Sequence, residues 1–320
     1  MQAVVLNQEN EFPRYQTVPD PKPDNGELLV KVEYAGMNYA DTMIRRGFYL
    51  EKPSFPSVVG FEFSGTVVGI GDGARPLWQG ERVMGFCSGA YAQYVVIPEQ
   101  TAIPVPPSFS LEEAAAFPCT FLTAYAMLRV SAKAVAGEVI LIHAAGGGVG
   151  TAAIQLAKKL GLEVIAAAGS DEKLEKVKAL GADFTINYEK NDFVEPVLDL
   201  TRRQGANVIF ESIGGDFLEK DIQAAAPFAR IVVFGLASGH VPPVHPAKLF
   251  KNSVSITGFW LRTLLQQPPK MKLLTQELLD LVKGENIRPI VGRIYPLQEA
   301  ETALRALESR NTFGKLLLKP

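Results

Sequence analysis

Val139-Ile-Leu-Ile-His-Ala-Ala-Gly-Gly-Gly-Val-Gly150 decides the reading of this chain. The apolar, β-branched start predicts a buried strand. The glycines predict a tight turn, and 151–160 has the spacing of an amphipathic helix. Read from Ala145, the turn is A-x-G-x-x-G, with Gly147 and Gly150 in the last two glycine places. Glycine there lets the backbone approach a pyrophosphate and lets the helix sit close on the strand. The helix N-terminus then offers N–H groups to phosphate oxygens. A second apolar strand, 163–168, follows at the distance a βαβ unit needs. The stretch therefore predicts a dinucleotide site; the plainer alternative is an ordinary glycine-rich βα turn.

The next strand carries the choice of nucleotide. An NAD-binding unit usually closes its second strand with Asp or Glu, about 20 residues past the glycines, to hold the ribose hydroxyls. Here the strand runs Val164-Ile-Ala-Ala-Ala-Gly-Ser170. Gly169 holds the place of the acid, and Ser170 and Lys173 follow. A 2′-phosphate is repelled by a carboxylate and held by a hydroxyl and an ammonium. NADPH is expected over NADH. The competing reading of Lys173 is a solvated lysine on the helix Asp171-Glu-Lys-Leu-Glu-Lys176.

Working outward, 320 residues suit two domains. The net charge of −2 and the lack of basic blocks argue against nucleic acid as a partner. Apolar runs stop well short of a membrane span, and Met1-Gln-Ala-Val-Val-Leu6 reads as a strand and not a signal peptide. The two cysteines, Cys87 and Cys119, cannot build a disulfide framework or a four-thiolate zinc site. A cytoplasmic location is the expectation.

The first part reads as β-rich, with strands at 27–34, 62–70, 82–86 and 91–97 between Pro- and Gly-rich loops. Ser110 reads as a helix N-cap with Glu112 and Glu113 in the first turn. Strands at 138–143, 163–168, 183–187, 206–211, 229–236 and 253–259 alternate with helices. That alternation predicts an α/β doubly wound, parallel six-stranded Rossmann sheet. The tail reads as helix 270–283, a strand near Val291, helix 298–308 and a last strand, 315–319, that returns to the first domain. The expected domains are 1–120 with 266–320, and 121–265.

Several short pieces, in this order, resemble the zinc-independent quinone oxidoreductase branch of the medium-chain dehydrogenases/reductases. They are Gly36-Met-Asn-Tyr-Ala-Asp-Thr-Met-Ile-Arg-Arg-Gly47, Gly60-Phe-Glu-Phe-Ser-Gly65, Gly80-Glu-Arg-Val83, Phe121-Leu-Thr-Ala-Tyr125, His143 to Gly150, Leu180-Gly-Ala-Asp183 and Gly314-Lys-Leu-Leu-Leu318. The resemblance implies a GroES-like β-barrel domain beside the Rossmann domain, an active site in the cleft between them, and a homodimer. In the zinc-dependent branch Cys and His ligate the metal. Here Asn38 stands in the region of the first ligand and Phe61 replaces the His before Glu62. His143, His240 and His245 lack ligand spacing, and His143 reads as a structural strand-end residue. No metal is expected.

Without such a Lewis acid the resemblance points to acceptors whose charge spreads onto a remote oxygen: a quinone or a conjugated, α,β-unsaturated carbonyl. It places Asn38, Asp41 and Tyr49 as catalytic residues, with Asn38 donating to the substrate oxygen and Tyr49 assisting proton delivery. It places Thr123 at the nicotinamide and Gly147, Gly148, Val149 and Gly150 at the pyrophosphate. Gly169, Ser170, Lys173, Tyr188 and Arg310 surround the 2′-phosphate, and Phe234, Gly235, Phe259, Trp260 and Leu261 lie beside the nicotinamide. Plainer readings stand next to these. Tyr49 is then a loop aromatic, Arg310 an exposed helix-end arginine, and Phe259 and Trp260 buried strand residues. The alternatives for function are a 2-enoyl thioester reductase, with Arg45, Arg46 and Arg262 forming a basic entrance, and a non-catalytic NADPH-binding protein with a structural or RNA-associated role.

Overall fold

Short strands broken by Gly and Pro open the chain: β1 (Gln2–Leu6), β2 (Arg14–Thr17), β3 (Glu27–Gly36), β4 (Ser57–Val58), β5 (Glu62–Ile70), β6 (Arg82–Phe86), β7 (Tyr94–Pro98) and β8 (Ile103–Pro104). The computed structural model describes residues 1–241 and 244–320. β2, β1 and β4 form one small sheet, and β3, β5, β6 and β8 pair antiparallel in another, where β7 also pairs with β3. Inward residues such as Leu28, Val30, Phe63, Val67, Val83 and Val95 alternate with exposed ones and fill the core. The strand expected at 91–97 begins later, at Tyr94. Tyr91 leaves that ladder because its N–H donates to Val59 O and its carbonyl accepts from Val4 N, which ties it to the small sheet. Helix α1 (Tyr39–Arg45) follows β3. Helix α2 (Leu111–Ala116) is closed by the expected cap, with Ser110 Oγ accepting from Glu113 N and the Glu113 carboxylate accepting from Ser110 N.

The six strands read from the sequence all form: β9 (Val139–Ile142), β10 (Glu163–Ala168), β11 (Phe184–Asn187), β12 (Ala206–Glu211), β13 (Ala225–Val233) and β14 (Ser255–Gly258). They are parallel in the order β11-β10-β9-β12-β13-β14, so the winding reverses between β9 and β12. Helices α3 (Pro118–Ala126), α4 (Gly148–Lys159), α5 (Asp171–Ala179), α6 (Val194–Leu200), α7 (Phe217–Ala224), α8 (Pro246–Phe250), α9 (Leu261–Leu265) and α10 (Pro268–Val282) complete this part. The middles of its central strands, Ile140–Ile142, Val164–Ala168 and Val208–Phe210, are apolar and buried, as in a parallel sheet covered by helices. β13 starts earlier than expected, since Ala225 is already extended where α7 ends. Pro242 and Pro243 lie outside the described residues; His240 and His245 are exposed.

In the tail, β15 (Val291–Pro296), α11 (Ala300–Glu308) and β16 (Lys315–Lys319) follow, and β16 pairs antiparallel with β3. The chain divides into two compact units, Met1–Cys119 with Pro289–Pro320, and Thr120–Arg288. The segment 266–288, expected with the first unit, thus packs with the second. Glu277 on α10 accepts from Tyr125 Oη at 3.2 Å, and Gln155 exchanges two hydrogen bonds of 2.9 Å with the Arg288 backbone. A helix boundary cannot reveal which unit a helix packs on.

Candidate cofactor and active site

Gly147 is the N-cap of α4 and has no side chain to cap it with. The first-turn N–H groups of Gly148, Val149 and Gly150 precede any intrahelical acceptor, so they face whatever lies beyond the helix end. A Cβ on Gly150 would lie 2.6 Å from Ala145 Cα and 2.7 Å from the Ala144 carbonyl oxygen. The helix therefore sits on the turn at a distance only glycine permits. Bare amides, a close backbone and a helix dipole suit a pyrophosphate.

At the end of β10, Gly169 stands where an acid would repel a second phosphate. The edge of the Tyr188 ring would be 3.3 Å from a Cβ at Gly169, and Phe217 holds that ring edge-on with centroids 5.4 Å apart. Ser170 caps α5 through a long bond, 3.4 Å, from Lys173 N. Lys173 is half-buried, and burial lowers its ammonium pKa against the pull of Glu172. A desolvated cation next to a hydroxyl suits a phosphate dianion. These residues fit an NADPH-type nucleotide. Arg310 lies in the first unit, exposed, with φ 59° at the C-terminal end of α11, where its N–H donates to Leu307 O at 3.3 Å.

Thr123 is buried on α3. Phe234 follows β13, its N–H donating to Glu211 O, and a Cβ on Gly235 would lie 3.0 Å from the Ser212 carbonyl. Phe259, Trp260 and Leu261 leave β14 and enter α9, half-buried. Phe259 and Trp260 line a cleft of about 170 Å³ with Ala126, Val130, Leu264 and Lys270. They are wall residues and not the fully buried strand residues of the plainer reading.

In the first unit Asn38 lies in a buried polar group. Its Nδ2 donates to Glu62 Oε1 at 3.0 Å and its Oδ1 accepts from the Lys315 ammonium at 2.5 Å. One N–H of the amide expected to donate to a substrate oxygen is thus held by Glu62. Glu62 also pairs directly with Lys315 and accepts from Cys119 N at 2.8 Å. Asp41 accepts from Asn38 N at 2.7 Å and from Tyr91 Oη at 2.6 Å, while its other oxygen has no partner among the described residues. Burial pushes its carboxyl up to about 6, against the opposing effect of those hydrogen bonds and of Lys315. Tyr49 is half-buried in the bend after α1. Arg45 departs from expectation. It is buried, bonds Glu308 at 2.7 Å and covers the Phe12 ring at 4.2 Å, so it cannot form a basic entrance. Arg46 contacts the same Glu308 at 3.4 Å, and Arg262 is exposed.

His143 has partners that its spacing did not show. Its Nε2 lies 2.7 Å from Asp221 Oδ1, and Glu211 completes a buried group whose ligand atoms fall within 4.8 Å of one another. Glu62, Lys315, Glu211 and Asp221 were missed by the sequence reading. The available signal was a charge at the end of an apolar strand, as in Val208-Ile-Phe-Glu211 and Lys315-Leu-Leu-Leu318.

The comparisons agree with this geometry. The family model described as the alcohol dehydrogenase GroES-like domain matches residues 24–107, and that of the zinc-binding dehydrogenases matches 148–280. A quinone oxidoreductase of Pseudomonas aeruginosa is 33% identical over 309 residues, 96% of this chain and 95% of the relative. The mouse synaptic vesicle membrane protein VAT-1 homolog-like is 31% identical over 319 residues, 93% of this chain and 76% of the relative. The solved Escherichia coli quinone oxidoreductase complexed with NADPH superposes with a TM-score of 0.92 at 32% identity, covering 100% of this chain and 99% of that one. The chain belongs to the quinone oxidoreductases of the medium-chain dehydrogenase/reductase family.

Proposed function

We propose that this chain is an NADPH-dependent oxidoreductase that passes hydride to a quinone or a small conjugated carbonyl compound. The observation that carries the reading is the glycine turn opening α4 together with β10 ending in Gly169 and Ser170, with half-buried Lys173 beyond. The reduced nicotinamide supplies the hydride. Everything else falls to this chain's residues. The amides of Gly148 to Gly150 hold the pyrophosphate, and Ser170, Lys173 and Tyr188 hold the 2′-phosphate; Arg310 keeps the phosphate role implied by the family. Thr123, Phe234, Gly235 and the wall of Phe259, Trp260 and Leu261 orient the ring and exclude water. Asn38 and Asp41 anchor the start of α1 through Glu62, Lys315 and Tyr91, and Tyr49 Oη delivers the proton.

Burial of Arg45 against Glu308 removes support for a wide basic entrance and so favours small acceptors over thioesters. NADPH oxidation against a panel of quinones, enones and enoyl thioesters tests this. Turnover with quinones or enones is expected. Turnover confined to enoyl thioesters overturns the acceptor assignment, and tight NADPH binding with no turnover overturns the enzymatic one. We also infer a homodimer: among the described residues β14 pairs only with β13, and such a bare edge invites a second strand. Light scattering that shows only monomer at micromolar concentration refutes the dimer. No helix among the described residues is long and apolar enough to cross a membrane.

A further inference from the structure

His143, Glu211 and Asp221 are buried, and the proposed chemistry uses none of them. Their place in the fold is specific. His143 follows β9 and begins the glycine-rich turn; Glu211 ends β12. β9 and β12 are the neighbours between which the winding reverses, and doubly wound sheets bind their ligands in the crevice outside that point. Asp221 comes from α7 and meets His143 at 2.7 Å. Glu211 Oε1 accepts the N–H of Gly214 at 2.5 Å and that of Ile213, which ties down the turn after β12. The rings of Phe193 and Phe217 stand edge-on to the imidazole at 4.7 and 5.2 Å. Three buried atoms, His143 Nδ1, Glu211 Oε2 and Asp221 Oδ2, have no partner among the described residues.

So buried a cluster tolerates little net charge. An imidazolium facing the Asp221 carboxylate is neutral as a pair. Glu211 then adds no charge only while it is protonated. Burial, and after it the Asp221 charge, push its carboxyl up to about 7 against the opposing effect of His143. Burial works against the charge on His143, and Asp221 outweighs it, so the imidazole pKa is raised. His143 and Asp221 are the titratable groups that face Glu211; Val233, its partner on β13, and Phe193 and Phe217 carry none. The three side chains could also offer donors to a cation. However, the His143–Asp221 contact has hydrogen-bond length, and one Glu211 oxygen is already committed to two amides. A proton fits this arrangement better than a metal.

We propose that the triad is a positioning device for the diphosphate of the cofactor: one proton on Glu211 keeps the floor of the switch-point crevice neutral, and its loss sets a buried negative charge against the bound anion. This rests on the reading of the glycine turn as the NADPH site. Linkage gives the sign. A bound anion favours the protonated form, so NADPH takes up a proton on binding, and affinity falls as pH rises through the range where Glu211 ionises.

The test is NADPH fluorescence titration of the full chain from about pH 6 to about pH 9, comparing wild type with Glu211→Gln. Glutamine keeps an oxygen for the two amides and imitates the protonated acid. The wild-type Kd is expected to rise about tenfold more than that of the variant, the change that one unit of bound-state pKa shift produces. Calorimetry in buffers of different ionisation enthalpy, near pH 7.5, is expected to show proton uptake in wild type and none in the variant. Phosphate binding to cations releases protons, so the sign separates the two sources. Matching Kd profiles overturn the proposal, as does proton release or no exchange in wild type, a readout that stands even if the variant does not fold. One equivalent of Zn²⁺ that stabilises wild type and abolishes uptake overturns it in favour of a cation site. No NADPH binding by either protein at any pH brings down the cofactor reading itself.

Discussion

Replacing Lys315 with Met should destabilise the first unit by about 3–5 kcal/mol, the usual cost of leaving one partner of a buried ion pair alone. Lys315 is 3% exposed and Glu62 0%. The ammonium is held by Glu62 and by Asn38 Oδ1. Without it, the Glu62 carboxylate keeps, among the described residues, the Cys119 N–H and the Asn38 amide, both neutral donors. The double variant Glu62→Gln, Lys315→Met removes both charges, and the glutamine oxygen can still take the Cys119 N–H. It should cost only about 0–2 kcal/mol, so the double variant should be more stable than the single by about 1–5 kcal/mol. The assay is urea unfolding followed by tryptophan fluorescence. The two tryptophans are Trp78, in the first unit, and Trp260, in the second. A Trp260→Phe background therefore leaves Trp78 to report the first unit alone. A single-variant loss below about 1 kcal/mol, or a double variant no more stable than the single, would refute the view that the pair is held by mutual charge compensation.

Lys173→Ala should raise the Michaelis constant for NADPH about tenfold or more and leave that for NADH nearly constant, because one charge-assisted hydrogen bond is worth roughly 1.5–3 kcal/mol; equal losses would mean that Lys173 supports the fold and does not read the phosphate. Asp41 has a folded pKa raised from 3.8 to about 6, so its stabilising contribution is complete at low pH and is lost as pH rises through about 6. Asp41→Asn should flatten that part of the stability profile, a change on the order of 2–3 kcal/mol read from urea midpoints between about pH 4 and about pH 7; an unchanged slope would assign the titration elsewhere. Chelator treatment should leave turnover intact, given Asn38 and Phe61 at the ligand places; a stoichiometric zinc whose removal abolishes activity would reverse this.

The six-stranded sheet was legible because apolar, largely β-branched runs such as Val139–Ile142, Val164–Ala168 and Val208–Phe210 recur between helical segments, with Gly, Asp or Ser in several of the turns. Gly150 was legible too, since the turn admits no other residue there. What escaped were pairings across long sequence distances. Nothing local in Gly36-Met-Asn38 announces that its amide is held by Glu62 and by Lys315 near the other end of the chain. Nor does a lone His143 reveal Asp221 on α7. The unit to which α10 belongs escaped for the same reason, because an amphipathic face shows that a helix packs without showing on what.

The pairing of β16 with β3 bears on synthesis at the ribosome. Leu317 joins Gly36, and Lys315 reaches Glu62, only after the whole of Thr120–Arg288 has been translated. The nascent first unit must wait with an uncompensated carboxylate in its interior and the Ala35–Gly36 end of β3 without its β16 partner. The second unit, continuous in sequence, can close before that wait ends. Vectorial folding should therefore run from the middle of the chain outward. The early strands are the segment that a chaperone would guard longest, and the arrival of β16 would be the event that releases it.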